Sequence, residues 1–410
     1  MRIKDEQAIR RMMFIRQLGL KAYMDFPGAI HTRYSHALGT MHLAGRLTDL
    51  LILKMEGKRN IVENLKSNKN NIMAAGFFHD IGHAPFSHAA DYVMKTIMGK
   101  SHEEMCGDIL KQKIPHDVEK WGISKDAIIN MVNPKSHEYQ FLSQIINGPL
   151  DCDKLDYLLR DAHHVGLKYS FDLDHFLRSY RIIGEETAIN ECILGLDSTQ
   201  QAVVTAELFV IIWKSMYDLV YLVQNSRIAE KMLEKAFLFY SDYKEIKSLF
   251  ELENFVEGND ENMLSTLKKI DKDVQRFLAM ENPARLYTIV LENELSEKCY
   301  KVTPTFMAKL RNDADALSDE LSIRLAEELK QKKYRIICDI IKSKSPNKIN
   351  LEPSENGEEE LRMRSEIVGI IKPKNVMKVY VDPTVLKETG KKKIQEEIEK
   401  LVEDDTLDNS

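Results

Sequence analysis

The sequence predicts a mainly α-helical protein with a small α+β appendix at its C-terminal end. Three observations carry that expectation. Apolar residues recur at helical spacing from the start of the chain to about Lys235. Alternation at period two is confined to "TAINECILGLDST" and "EIVGIIKPKNVMKVYVDP". Pro, Ser, Asn and Gly concentrate in one stretch, "SKSPNKINLEPSENGEEE".

Taken in order, "HALGTMHLAGRLTDLLILKM" reads as a first long helix. "EGKRNIVENLKSNKNN" then reads as a solvated connection, from its Gly, Asn and Lys. "KNNIMAAGFFHD" is an apolar helix that Gly82 and Pro85 bring to an end. In "DCDKLDYLLRDAHH", at about 100° per residue, Leu155, Leu158, Leu159 and Ala162 share one face. Asp153, Tyr157, Arg160, Asp161 and His164 share the opposite face, with Lys154 and Asp156 at its margins. "TAINECILGLDST" suggests a short hairpin, and "TAELFVIIWKSMYDLVYLVQ" a largely apolar helix. From about 230 to 342 the chain is charged and reads as helical throughout, including "LSDELSIRLAEELKQKKYRIICDIIK". Past the Pro-, Ser- and Gly-rich break come two strands joined by "KPKN", an amphipathic helix "KKKIQEEIEKLV" and a frayed tail "EDDTLDNS". The expected organisation is therefore a core over 1–240, a helical extension over 241–345, a linker over 346–365 and a small α+β element over 366–410.

Composition narrows the function classes. With 410 residues and a net charge of −6, no global positive field recruits nucleic acid or an anionic membrane, and nucleic-acid binding is not indicated. Cys106, Cys152, Cys192, Cys299 and Cys338 are scattered and odd in number, which suits reduced thiols in a cytoplasmic protein. "MRIKDEQAIRRMMFIRQ" lacks the apolar centre of a signal peptide, and the run "AELFVIIW" is too short to span a bilayer.

The chemistry concentrates in "AAGFFHDIGHAPFSHAAD", where three histidines and two aspartates sit among Ala, Gly, Phe and Ile. Burying such groups costs several kcal/mol unless they are paired or metal-bound. His79 and Asp80 lie together at a helix end, and a histidine with a carboxylate suits a transition metal or Mn²⁺ better than Ca²⁺. Upstream, "HTRYSHALG" supplies Arg33 and His36; downstream, His88 and Asp91 stand at i, i+3, the spacing by which a carboxylate fixes a histidine's tautomer. "SHEE" adds His102 and Glu103, whereas His31 and His42 read as ordinary helix-flank residues.

The order of His36, His79–Asp80 and Asp153 resembles the metal-binding signature of the HD-domain phosphohydrolase superfamily. Within it, "QLGLKAYMDFPGAIHTRYSHALGTMHLAGRL", "AAGFFHDIGHAPFSHAAD", "SHEE", "DCDKLDYLLRDAHHVGL" and "MYDLVY" resemble, in order, the SAM-and-HD-domain deoxynucleoside triphosphate triphosphohydrolases and their bacterial and archaeal relatives. The resemblance implies an HD-domain helical bundle over the core. It implies that His36, His79, Asp80 and Asp153 hold one divalent ion, whether Mn, Fe, Zn, Co, Ni or Mg. It gives His88, steadied by Asp91, the role of acid or base at the scissile P–O bond, with His102 and Glu103 as a second phosphate-facing pair. His83, Arg33 and Lys154 would meet the phosphates, Tyr157 and Tyr221 the sugar and base, and Asp161 the 3′-hydroxyl. Gln17 and Leu18 would line the sugar; His163 and His164 match the motif without a role. The implied activity is hydrolysis of a deoxynucleoside triphosphate to deoxynucleoside and tripolyphosphate by a homo-oligomer. Three positions depart from the pattern: Met13 and Trp213 replace arginines, and Val223 replaces a histidine. Trp213 and Val223 keep open another nucleotide or phosphoester as substrate, and the stretch 240–410, which carries no motif of the family, keeps open a module that senses nucleotide or associates with nucleic acid without turnover.

Overall fold

In the computed structural model the described residues are 5–134, 140–270, 287–295, 302–332, 335–342, 349–354, 357–371 and 375–403. The expected tail after 403, the "KPKN" joint and Cys299 fall largely or wholly outside them. The chain packs as two compact units, each drawn from separated stretches of sequence. The first comprises Met1–Val223, Tyr240–Lys269 and Pro346–Ile371; the second comprises Gln224–Phe239, Ile270–Ser345 and Lys372–Ser410. Among the described residues no helix is long and apolar enough to cross a membrane.

The first unit is built on helices α1 (Arg33–Lys54) and α2 (Arg59–Phe78), which pack along one another. The stretch expected as a solvated connection is mostly the start of α2. Ile61, Leu65 and Ile72 recur at helical spacing and are fully buried, so their packing overrides the low helix propensity of the intervening asparagines. Short helices α3 (His88–Met98) and α4 (His102–Gln112) follow, α4 opened by Ser101, which accepts from the Glu104 N–H. Helix α5 (Cys152–Val165) starts where Asp151 accepts the Lys154 N–H at 2.7 Å and stops at Gly166, whose φ of +80° suits glycine. Its apolar face is buried as the wheel predicts, through Leu155, Leu158 and Ala162. Asp156 and Asp161 on the polar side are buried too, so that face is interior rather than solvated.

A four-stranded sheet completes this unit. Strands β1 (Tyr180–Ile183) and β2 (Ile193–Leu196) form an antiparallel hairpin, Tyr180 facing Leu196. The hairpin exists, but its first strand lies upstream of the expected one, and Glu186–Glu191 is a 3₁₀ connection. β2 pairs in parallel with β5 (Asn350–Ser354), which pairs with β6 (Gly357–Glu360). Strand pairing thus occupies part of the stretch expected as a linker. Helix α6 (Gln200–Met216) runs on into a π-turn, Tyr217–Tyr221.

The second unit holds a three-stranded antiparallel sheet in the order β3 (Thr288–Glu294), β7 (Asn375–Val381), β4 (Ile336–Lys342). Three expectations are corrected here and in the neighbouring segment, the first being that β3 is a strand inside the 241–345 stretch expected as a helical extension. "IICDIIK" is strand β4, not the end of a helix: six of its seven residues are buried, and a strand without polar alternation hides its period. "EIVGI" is the short helix Glu366–Ile370, capped by Ser365, rather than a strand. The outward N–H groups of Cys338 and Ile340 are accepted at 2.9 Å by the hydroxyls of Ser322 and Ser318, which close the sheet's edge. The amphipathic helix Lys391–Glu403 forms as expected and buries Ile394, Ile398 and Val402.

Inside the second unit Asp339 has no exposed side-chain surface and takes both Arg227 Nη2 (2.6 Å) and Nε (3.2 Å). Burial alone would raise the Asp339 carboxyl, but Arg227 and Lys231 hold it below its ordinary 3.8. A depressed carboxylate contributes stability above its unfolded value and loses it as pH falls. Asp339→Asn, which removes the fully buried charge that Arg227 grips with two nitrogens and leaves that guanidinium with Glu230, is expected to cost about 1–3 kcal/mol at pH 7 in urea denaturation. The gap to wild type should narrow as the pH drops below 3.8.

Candidate metal centre

Three helices bring the ligand candidates together. His36 lies in the second turn of α1, His79 caps the C-terminal end of α2 with Asp80 beside it, and Asp153 stands in the first turn of α5. His36, His79 and Asp153 each offer one ligand atom, all within 4.8 Å of one another, and so can hold a metal ion. Asp80 Oδ2 is 3.6 Å from His36 Nε2, and Asp80 Oδ1 is 3.4 Å from His79 Nε2. Asp153 Oδ1 is 2.9 Å from His36 Nε2 and 3.5 Å from His79 Nε2.

Each histidine is anchored from behind. His36 Nδ1 is 2.8 Å from Asp156 Oδ2, and His79 Nδ1 is 2.8 Å from the Gly76 carbonyl. The anchored nitrogen carries the N–H, which leaves Nε2 as the free lone pair. Both Nε2 atoms are buried and make no hydrogen bond of acceptable geometry. Two imidazole nitrogens and the Asp153 carboxylate suit a divalent transition metal, with Asp80 beside them and held at Oδ2 by Arg33. Electrostatics agree in sign. Burial would lower His36, yet Asp153 and Asp156 lift it to about 10; burial would raise Asp153, yet His36 and His79 pull it down. Burial opposes ionisation of Asp80 as well, but Arg33 and His79 hold it well below the carboxylate range.

Two glycines permit the approach. A Cβ on Gly39 would overlap the Asp156 carboxylate and Arg160; one on Gly82 would overlap the His102 carbonyl. Arg160 in turn grips both oxygens of Asp156, at 2.7 and 2.9 Å.

Beside the ligands lies a second histidine pair. The rings of His83 and His102 stack at 3.9 Å. Asp91 Oδ1 lies 3.2 Å from His83 Nδ1 and 3.8 Å from His102 Nδ1. Glu103 Oε1 is 3.1 Å from His102 Nε2; burial would raise Glu103, but His102 holds it at about 2. Asp91, expected to steady His88, is therefore also a partner of His83. His88 opens α3, and its side chain lies outside the described residues.

Several residues expected at the phosphates or sugar have partners within the chain. Arg33 Nη1 is 2.5 Å from Asp80 Oδ2, and its Nε donates to Ser87 Oγ at 2.9 Å. Lys154 Nζ donates to Asp151 Oδ2 at 2.6 Å and to the Gly148 carbonyl at 2.9 Å. Asp161 accepts from the Tyr221 hydroxyl at 2.8 Å and stands 2.6 Å from His31 Nε2. Tyr157 meets His36 edge-on at 6.4 Å and Tyr221 at 6.0 Å; Tyr221 meets Tyr217, and Tyr217 meets Trp213 at 4.6 Å. Gln17 donates its backbone N–H to His31, while its buried Oε1 lacks a partner; Leu18 is buried.

Sequence reasoning passed over two residues that the structure brings in. His31, read as a helix-flank residue, is buried against Asp161 and stacks on His164 at 4.2 Å. Asp156, left at the margin of its helix, is the anchor of His36; its signal was the i, i+4 pairing with Arg160.

Comparison with known proteins bears on both units. The model of the HD domain matches residues 33–161, and that of the HD associated region matches residues 172–402. An uncharacterized protein of Methanocaldococcus jannaschii is 32% identical over 235 residues, covering 57% of this chain and 45% of that one. The deoxynucleoside triphosphate triphosphohydrolase SAMHD1 of Homo sapiens is 25% identical over 395 residues, covering 83% of this chain and 59% of that one. The chain thus spans about half the length of these curated relatives. A crystal structure of a hypothetical protein from Aquifex aeolicus superposes with a TM-score of 0.72 at 25% identity, over 96% of this chain and 94% of that one.

Replacing Asp156 by Asn should weaken Mn²⁺ binding by about 10–100-fold without unfolding the chain, measured by calorimetric titration and circular dichroism. His36→Ala should bind no Mn²⁺ at the same concentrations.

Proposed function

The chain belongs to the family in which an HD domain is joined to an HD associated region, and on that premise we propose that it is a metal-dependent hydrolase of deoxynucleoside triphosphates. Water adds at the α-phosphorus, the bond from phosphorus to the 5′-oxygen breaks, and deoxynucleoside and tripolyphosphate leave. The observation that supports this most strongly is the pair of buried, unshared Nε2 atoms of His36 and His79 facing the carboxylates of Asp80 and Asp153. These four side chains would hold the divalent ion, which when bound supplies Lewis acidity at a phosphate oxygen.

The chain's own groups would do the rest. His36 and His79 keep their tautomers through Asp156 and the Gly76 carbonyl. His88 would pass a proton to the departing 5′-oxygen, and the stacked His83 and His102, held by Asp91 and Glu103, would face the phosphates. Tyr157 and Tyr221 would flank the sugar and base, with Gln17, Leu18 and Asp161 at the sugar. Phosphoryl chemistry asks mainly for positioning and charge neutralisation, which a buried cluster of this composition offers. The proposal extends to a homo-oligomer in the cytoplasm.

A second reading, another nucleotide or phosphoester as substrate, has a specific observation in its favour. Trp213, Tyr217, Tyr221 and Tyr157 form a continuous aromatic column. Arg33 and Lys154, the two cations assigned to the phosphates, are bound to Asp80 and Asp151.

Incubation with a panel of deoxynucleotides, ribonucleotides and monophosphates plus Mn²⁺, read by product chromatography, separates the readings. Tripolyphosphate release is expected; release of phosphate or pyrophosphate would replace it with the second reading, and binding without turnover would leave a sensing module. Asp80→Asn should reduce any turnover to background. Retained activity in that variant would remove the metal chemistry.

A further inference from the structure

The loop between α2 and α3 carries Asp80 and His83 and delivers the chain to His88, and it is an awkward piece of backbone. Phe86 and Ser87 have φ of +61° and +54°, in the region that side chains disfavour. Such conformations persist only where the surroundings over-determine them. Two residues outside the stretch matched to the HD domain supply that determination. Asp260, buried in the first turn of the helix Asp260–Ile270, accepts the Phe86 N–H on Oδ1 at 2.9 Å and the Arg16 N–H on Oδ2 at 3.0 Å. Arg16 pairs in turn with Thr32, immediately before Arg33. Arg11, also buried, donates to the Ile81 carbonyl at 2.9 Å and the His83 carbonyl at 2.8 Å. Its Nε reaches the Gly258 carbonyl at 3.2 Å, and its guanidinium lies 4.4 Å above the Phe255 ring. Five hydrogen bonds from two charged side chains thus tie the loop to residues 255–260 and to the strand-like segment at Arg16.

We infer that Arg11 and Asp260 are positioning residues, which hold the 81–87 loop in the strained path that sets His83 beside Asp80 and leads the chain into α3. Neither would touch metal or substrate. An arginine suits the task because its rigid planar fork reaches two carbonyls of one turn and the Gly258 carbonyl together, a spread that a single ammonium nitrogen does not cover. An aspartate suits it because its two oxygens take two backbone donors from different segments. The HD associated region, which contributes Asp260, is thereby part of the catalytic loop's support. The inference rests on the hydrolytic reading only for the consequence it has on rate.

Arg11→Lys and Asp260→Asn in the full chain test it through amide exchange, Mn²⁺ titration and steady-state kinetics. Exchange over 81–88 should quicken at least about tenfold while exchange over 33–54 is unchanged. Mn²⁺ affinity should stay within about threefold, because the bracing bonds fall on Ile81, His83 and Phe86, not on Asp80 or on His36, His79 and Asp153. On whichever phosphoester wild type cleaves, kcat should fall by about 10–100-fold with KM within about threefold. Unchanged exchange over 81–88 together with an intact kcat overturns the inference. So does exchange that quickens equally over 33–54 and 81–88 with loss of Mn²⁺, which would mark a general fold role. If wild type cleaves nothing in the panel, the hydrolytic reading falls and the exchange pattern alone decides the bracing. Should Arg11→Lys not fold, Asp260→Asn, which keeps one acceptor oxygen, carries the test.

Discussion

The candidate centre depends on one electrostatic arrangement: Asp80, Asp153 and Asp156 crowd His36 and His79, Arg33 and Arg160 answer Asp80 and Asp156, and Asp153 is left to the histidines. Asp153 and Asp156 lift His36 to about 10 despite full burial. A divalent ion held by His36, His79 and Asp153 would offset the same carboxylate charge. Arg33 holds Asp80 by Oδ2, the oxygen that also faces His36 Nε2, and so fixes the carboxylate's orientation as well as its charge.

The convergence follows from packing rather than from local sequence. α1 and α2 lie side by side, which sets His36 against His79, and α5 crosses close enough to α1 for Asp156 to reach around Gly39. Asp153 and Asp156 are three residues apart on α5 and take opposite sides of the same imidazole, Nε2 and Nδ1. One helical turn therefore supplies both a ligand candidate and the group that orients its neighbour. Any rotation of α5 would lose both contacts together, so the helix must be set by its apolar face, where Leu155, Leu158 and Ala162 are fully buried.

Much of this was legible in the sequence, and the reasons for the failures are specific. The helices of the first unit announced themselves because a single buried stripe gives a clear period. α2 was misread in its first half because asparagines mask a stripe as thin as Ile61, Leu65 and Ile72. Strand β4 was misread because both its faces are covered, and an unbroken apolar run has no period to read. Among the ligand candidates, the set His36, His79, Asp80 and Asp153 came with the family resemblance, and the structure brings His36, His79 and Asp153 within 4.8 Å of one another. Asp156 and His31 escaped because their importance lies in what they touch, 120 and 130 residues away in sequence. A helical wheel assigns a face; it does not say whether water or another helix lies against it.

The same distinction separates what the centre can do from what it selects. The ligand candidates and the stacked His83 and His102 are held by short contacts within the chain, and none of these names a base, a sugar or a number of phosphates. Selection would fall to the surface beyond them, where Tyr157 carries the line of contact from His36 to Tyr221, Tyr217 and Trp213. That line is aromatic, and it ends at Trp213, where the resembled family carries an arginine. A guanidinium there would reward added negative charge, whereas an indole rewards a flat or apolar group and is indifferent to a further phosphate. Arg33 and Lys154 do not restore the balance, because each already neutralises a buried carboxylate of the chain, and an incoming phosphate would have to displace Asp80 or Asp151 to recruit them. Asp80 is itself a ligand candidate, so Arg33 can serve a phosphate only by bridging it to the metal-facing carboxylate. On the proposed reaction, preference for a number of phosphates would fall to this aromatic column rather than to the histidines.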